Sequence, residues 1–394
     1  MGFDTLILGG TVIDGTGAPA RRADVGIADG KIAAIGDLSG AEAAQVIDAA
    51  GKTVTPGFIE MHSHADQTVL GYPTMDSMLH QGITTFVGCM CGQSIAPIGK
   101  YYLANQAMRD VFDELTPKLY ADMYNEDYYA LSEEAIPLIR KHCHFDPSWH
   151  TFHEWLDTVD AHGLSGNMVT VLGYSTIRMN VMGPDGARTP TEEEKAVLKE
   201  HIHEAMDAGS FGMSVGLDYE PGIFSDTREL LEMSRELKAD DGILFVHDAN
   251  TESVKVFVGH PKATLGNDTF VFSTDSTVAY DPESPGNKPN PNTYCGFIKF
   301  LTELGGEDRA QMIYKLTGRP AELLHLTKRG TLAVGKQADI LVIDWDHLKT
   351  NENVLDPVVY PEGIEQVLVN GTAVIRDGRH TGALPGGVIR RQDR

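Results

Sequence analysis

Between about residues 56 and 329 the sequence alternates short apolar runs with amphipathic stretches, and this alternation narrows the fold more than any other feature. Residues 58–62, 83–87, 168–172, 211–215, 243–246 and 263–266 read as strands. Helices are expected over 75–81, 151–162, 191–208 (opened by Pro190) and 227–239, with a longer helical stretch over much of 104–140. Two more follow the last strand, over 293–304 and 309–317. Repeated βα units imply a parallel sheet, either closed into a barrel or doubly wound. Residues 281–292 hold four prolines and read as a surface loop or lid.

The two ends have a different texture. In the first 55 residues, short strands recur about every ten residues, separated by turns such as Gly9-Gly10, Asp14-Gly15 and Asp29-Gly30. Near the C-terminus, 338–344 is a buried-type strand, and 366–378 is a hairpin about Asn370-Gly371. Two β-rich ends around a mixed middle predict one β-sandwich split between the termini, residues 1–55 and 330–394. The barrel domain then spans 56–329, with a helical insertion at about 99–166.

Charge and composition exclude several functions. Against 32 Lys+Arg stand 56 Asp+Glu, a formal net charge of −24, which opposes binding to a phosphate backbone. No run of 18 apolar residues is present, so no membrane partner is expected. The N-terminus lacks the basic and apolar regions of a secretory signal, and four cysteines are no disulfide framework. A cytoplasmic location is the resulting expectation.

Chemistry concentrates where the strands end. His62 and His64 lie two apart at the end of an apolar strand preceded by Pro56-Gly57, so both point to one face. At the C-terminal end of a barrel strand that face is the active-site mouth, and imidazoles suit zinc and its neighbours. Cys89 and Cys91 follow the next strand. A thiolate there could ligate a soft divalent metal, although both also read as small buried apolar residues. His247 ends another strand, as a metal ligand or a hydrogen-bonded structural residue. Asp268 follows the strand read at 263–266, as a proton carrier beside a metal-bound water or as a cap for the next segment.

These residues resemble the amidohydrolase superfamily, and within it the N-acyl-D-amino-acid deacylases. Leu8-Gly9-Gly10-Thr11-Val12-Ile13-Asp14-Gly15 resembles the family's opening. Pro56-Gly57-Phe58-Ile59-Glu60-Met61-His62-Ser63-His64 resembles its metal-binding first strand, and Cys91-Gly92-Gln93-Ser94-Ile95-Ala96-Pro97 resembles the segment whose Cys ligates zinc. Gly173–Arg178 and 217–222 resemble its next two loops, and 317–321 and 335–340 its return to the sandwich. The resemblance implies a (β/α)8 TIM-like barrel with a small β-sandwich built from both termini. It implies zinc held tightly by Cys91 and His247, with His62 and His64 binding a second, weaker divalent metal or shaping the site. It also implies Asp268 as general acid/base and Tyr219 against a small-molecule amide substrate. The reaction would convert an N-acyl-D-amino acid to a carboxylate and a D-amino acid.

The sequence departs from that pattern after His247. The family carries a further strand there, ending in a His ligand typically set as Ser-His-x-Lys, whereas here Asp268 follows within about twenty residues. Two βα units, on the order of 60 residues or more, have no counterpart. Either the sequence joins pieces of a longer chain or the units are deleted. The family's Arg that grips the substrate carboxylate is also absent, with Pro289-Asn290-Pro291-Asn292 in its place. Setting aside the sandwich and the insertion leaves 206 residues, in which only six barrel strands can be placed. Two other functions stay open. One is a cyclic-amide hydrolase of the hydantoinase or dihydroorotase kind, though residues 211–217 offer no lysine for the bridging ligand those enzymes use. The other is a non-catalytic scaffold on the same fold. Oligomeric state is not legible.

Overall fold

The computed structural model describes residues 2–99, 140, 145, 147–217, 220–247, 271–278, 291–303 and 308–394. Strands β1 (Phe3–Leu8), β4 (Asp24–Ala28), β5 (Lys31–Gly36) and β6 (Ala43–Asp48) form a four-stranded sheet in the order β5-β4-β1-β6. A seven-stranded sheet draws β2 (Thr11–Val12), β3 (Arg21–Arg22) and β7 (Thr53–Pro56) from the N-terminal part. It draws β14 (Ile340–Ile343), β15 (Ile364–Val369), β16 (Thr372–Arg376) and β17 (Arg379–His380) from the C-terminal part, in the order β17-β16-β15-β14-β7-β2-β3. Ile7, Val25, Ile27, Val54, Ile340 and Val342 pack in one apolar cluster. β14 is buried throughout because it lies between β7 and β15, which explains its unbroken apolar sequence. Asn370 and Gly371 take φ values of 48° and 79°, the conformation a two-residue hairpin turn between β15 and β16 requires.

The barrel strands run parallel. β8 (Phe58–Glu60) pairs with β9 (Ile83–Gly88), which pairs with β10 (Asn167–Thr170). β11 (Leu172–Gly173) continues from β10 after Val171 and pairs with β12 (Gly212–Gly216), which pairs with β13 (Ile243–His247). On the other side of β8 the chain returns, with Ser276 bridged in parallel to Ser63. Asp275 N–H donates to His62 O at 3.1 Å, and His64 N–H donates to Ser276 O at 2.9 Å. The segment beside the first strand is therefore 274–276. The strand read at 263–266 lies outside the described residues, as do almost all of the 104–140 stretch and most of the 281–292 loop.

The helices follow their caps. Thr151 and Thr191 each form a capping box, with Glu154 and Glu194, and open Phe152–His162 and Glu192–Ala208. Asp226 caps Thr227–Ala239, which buries Glu229, Met233 and Leu237 at four-residue intervals. One reading is corrected: Gly173–Arg178 is not a loop, since Tyr174–Met182 is a helix directly after β11.

The last residues form a strap across the starts of the barrel strands. Gly386 N–H donates to Leu164 O at 2.7 Å, and Met168 N–H to Gly387 O at 2.9 Å. Ile389 N–H then donates to Met168 O at 2.8 Å, and Arg391 N–H to Gly209 O at 2.8 Å. The strap lies at the opposite end of the strands from the histidines.

Candidate metal centre

The chain leaves β8 through Met61, His62, Ser63 and His64. Ser63 fixes this exit by donating both its N–H (3.1 Å) and its hydroxyl (2.8 Å) to Val87 O at the end of β9. With Ser63 turned to the sheet, the two imidazoles face the mouth, 6.0 Å apart between ring centroids. They meet one carboxylate. Asp275 Oδ1 lies 3.2 Å from His62 Nε2 and 3.4 Å from His64 Nε2. Cys91 Sγ lies 3.2 Å from His62 Nε2. The four side chains each offer a ligand atom, and all these atoms lie within 4.8 Å of one another.

These spacings fit a metal. Zinc binds nitrogen and oxygen at about 2.0–2.2 Å and sulfur at about 2.3 Å, so neighbouring ligands of a tetrahedron stand about 3.3–3.8 Å apart. Two imidazoles, a thiol and a carboxylate are also the donor types that zinc takes.

Buried polar groups hold the ligands from behind. Glu60 is fully buried, and its two oxygens tie the first strand to the returning segment. It accepts from His62 N–H at 2.9 Å, and from the N–H and hydroxyl of Thr274 at 2.8 and 2.7 Å. Burial pushes its carboxyl up to about 7, against the pull of those hydrogen bonds. Asp66, also fully buried, accepts from Cys89 N–H at 2.7 Å; burial raises its carboxyl to about 6. Asp275 behaves oppositely. Partial desolvation at the mouth would raise it, but hydrogen bonding and charge from His62 and His64 prevail and hold it far below the usual carboxylate range.

The sequence-derived ligands His62, His64 and Cys91 thus come together. His247 ends β13, its backbone in register with Gly216. Gly216 in turn adjoins the Cys91 turn, since a Cβ on Gly92 would lie 2.8 Å from Gly216 N. The His247 side chain, Tyr219 and Asp268 lie outside the described residues. Sequence reasoning missed Asp275. Its signal was present, for Phe270-Val271-Phe272 is a second short apolar run that also leads to an aspartate.

Comparison with known proteins adds a family. A sequence profile described as "Amidohydrolase family" matches residues 45–148 and 189–375. A D-aminoacylase from Alcaligenes xylosoxydans xylosoxydans is 36% identical over 245 residues, covering 62% of this chain and 44% of that protein. The chain therefore spans less than half the length of that relative. An N-acyl-D-glutamate deacylase of the same organism is 26% identical, covering 99% of this chain and 97% of that protein. That alignment runs over 506 positions against 394 residues, so at least 112 positions have no counterpart here. A crystal structure of D-aminoacylase matches with a TM-score of 0.77 at 25% identity, covering 99% of this chain and 100% of the other. An N-acyl-D-glutamate deacylase from Bordetella bronchiseptica, complexed with zinc and a phosphonate inhibitor, matches with a TM-score of 0.75 at 24% identity, over 99% and 100% of the two chains. Barrel and split sandwich are shared along nearly the whole chain, and by profile, sequence and fold alike this protein belongs to the amidohydrolase family.

Proposed function

We propose that this chain is a zinc-dependent hydrolase of acyl-amide bonds, acting on N-acyl-D-amino acids. The observation that carries the reading is the convergence of His62, His64, Cys91 and Asp275 at the barrel mouth. Similarity to D-aminoacylase and N-acyl-D-glutamate deacylase supports the substrate class. Cys91 and His247, the latter at the end of the fifth strand in the barrel order, are the proposed holders of the tighter zinc, and His62 and His64 are proposed to hold a second, weaker metal or to shape the site. Bound there, zinc would lower the pKa of a water molecule and polarise the acyl carbonyl.

The chain's own groups move the proton. Asp275 is proposed for the role that the sequence suggested for Asp268, because among the described residues it is the carboxylate placed against the histidines. Over half of its side chain is exposed, so it can reach substrate. Held ionised by the two imidazoles, it accepts a proton from the attacking water at Oδ and returns it to the departing amine nitrogen. Glu60 and Thr274 keep it in register with His62. Tyr219 remains the proposed substrate contact.

The test is amine release from N-acetyl-D-amino acids and their L-enantiomers, together with the metal content of protein purified without chelator. The reading expects D-selective hydrolysis and about one zinc or more per chain. No hydrolysis and less than about 0.2 zinc per chain would favour the scaffold reading, since an active site of this kind needs its metal.

A further inference from the structure

The segment that presents Cys91 is a turn closed by its own Gln93 N–H to Met90 O bond at 3.0 Å and held further from outside. Cys89 and Cys91 both lie at positive φ, 65° and 56°, and Gly92 follows at 76°. Left-handed backbone is unfavourable for a cysteine, so the surroundings must impose it. Two buried side chains help to do so, one from the short 3-10 helix Ala65–Gln67 and one from β12. Asp66, just beyond His64, accepts the Cys89 N–H at 2.7 Å. Gly88 admits it, since a Cβ there would lie 2.9 Å from Asp66 Cβ. Ser214, in the middle of β12, straddles the turn. Its hydroxyl donates to Cys89 O at 2.5 Å and accepts from Gly92 N–H at 3.0 Å. Ser214 is 1% exposed and Asp66 0%, so neither bond is shared with bulk water.

We infer that Ser214, assisted by Asp66, is a positioning residue that fixes the Cys91 thiolate for metal binding. The inference rests on the reading of Cys91 as a ligand. The bonds from Ser214 flank Cys91 on both sides, one residue after it and two before, and they fix the backbone from which Sγ reaches His62. Without the hydroxyl, Cys89 O and Gly92 N–H would be buried and unpaired. The turn would then relax toward negative φ and withdraw the sulfur. Groups of this kind commonly cost about 10- to 100-fold in metal affinity when removed.

Cobalt(II) is the probe, because a thiolate ligand adds a charge-transfer absorption that histidine and carboxylate do not. Apo full-length protein is titrated with cobalt in wild type and in Cys91→Ala, Ser214→Ala and Ser214→Thr, with thermal unfolding followed in parallel. Wild type should show the sulfur band and Cys91→Ala none. Ser214→Ala should bind cobalt about 10-fold or more weakly, with the band reduced, while Ser214→Thr keeps the hydroxyl and the band. A wild-type band and affinity in folded Ser214→Ala would overturn the positioning role. If Ser214→Ala does not fold, Asp66→Ala carries the same expectation, and an undiminished band there overturns it. Absence of the band from wild type is a separate result, which removes Cys91 from the ligand set and with it the reading beneath.

Discussion

Cys91 and Asp275 share a conformation as well as a site: both occupy the left-handed region, at φ 56° and 54°. In each case backbone strain is offset by hydrogen bonds, buried ones from Ser214 in one and part-buried ones through the Glu60–Thr274 pair beside the other. Local pattern made His62, His64 and Cys91 legible in the sequence. Two histidines two apart at a strand end are a short-range signal, and the Cys-Gly-x-Ser motif is another. Asp275 was passed over although its short apolar run was present, because the preceding aspartate, Asp268, fitted the same strand-end rule and the pairing with His62 and His64, more than 200 residues away, has no local sign that separates the two. The two carboxylates can be separated by experiment. Asp275→Asn should lower kcat about 10²- to 10⁴-fold while zinc is retained, and Asp268→Asn should leave kcat within a few-fold of wild type. Steady-state rates with parallel metal analysis measure both, and the opposite pattern returns the role to Asp268.

At the scale of elements, helices with a cap and a clear apolar face were predicted to within a residue or two. Thr227–Ala239 is an example, for it begins at Asp226 and buries one stripe. Tyr174–Met182 was missed because no side-chain cap marks its start and nearly all of its first turns is buried, which erases the amphipathic pattern. That helix carries Arg178, wholly buried against Glu229, with Nε donating to Oε1 at 2.8 Å. Arg178 also donates to the carbonyls of Gly186, Pro221 and Arg188, so a single guanidinium fastens two loops. Glu229→Leu alone should cost about 3–5 kcal/mol by leaving the charge of Arg178 unpaired, and Arg178→Met combined with it should recover part of the loss. Chemical denaturation of the two variants tests this; a double variant no more stable than Glu229→Leu would show that the loss does not come from the unpaired charge of Arg178. A surface pair should behave differently with pH. Glu194 is hydrogen-bonded twice by Arg188, which lowers its carboxyl from 4.5 to about 2. Its stabilisation is full above pH 4.5 and is lost as pH falls toward 2. With both side chains partly exposed, about 1 kcal/mol is expected, seen as a gap in Tm between wild type and Glu194→Gln that closes on acidification.

The whole molecule is set by its two ends. The split sandwich was legible because turn spacing and alternation survive in each half by themselves. The strap over the barrel base was not, because Gly386, Val388 and Ile389 have no periodicity to announce it and their partners lie over 170 residues upstream. Ending the chain after Gly382 removes the four backbone bonds of the strap. At about 1 kcal/mol for each bond and about 2–4 °C per kcal/mol, Tm should fall by about 10 °C. The mouth lies at the other strand ends, so cobalt binding below that temperature should persist; calorimetry and the cobalt titration read the two effects separately. The pairing of β7 with β14 has its own effect during translation. β7 leaves the ribosome with one flank bare, and the strand that covers it is made about 280 residues later, roughly 15–60 s at ordinary elongation rates. During that interval a nascent chain displays an edge strand, buried in the finished fold, that is able to pair with a neighbour, so growth temperature and polysome density should govern how much of this protein is recovered intact.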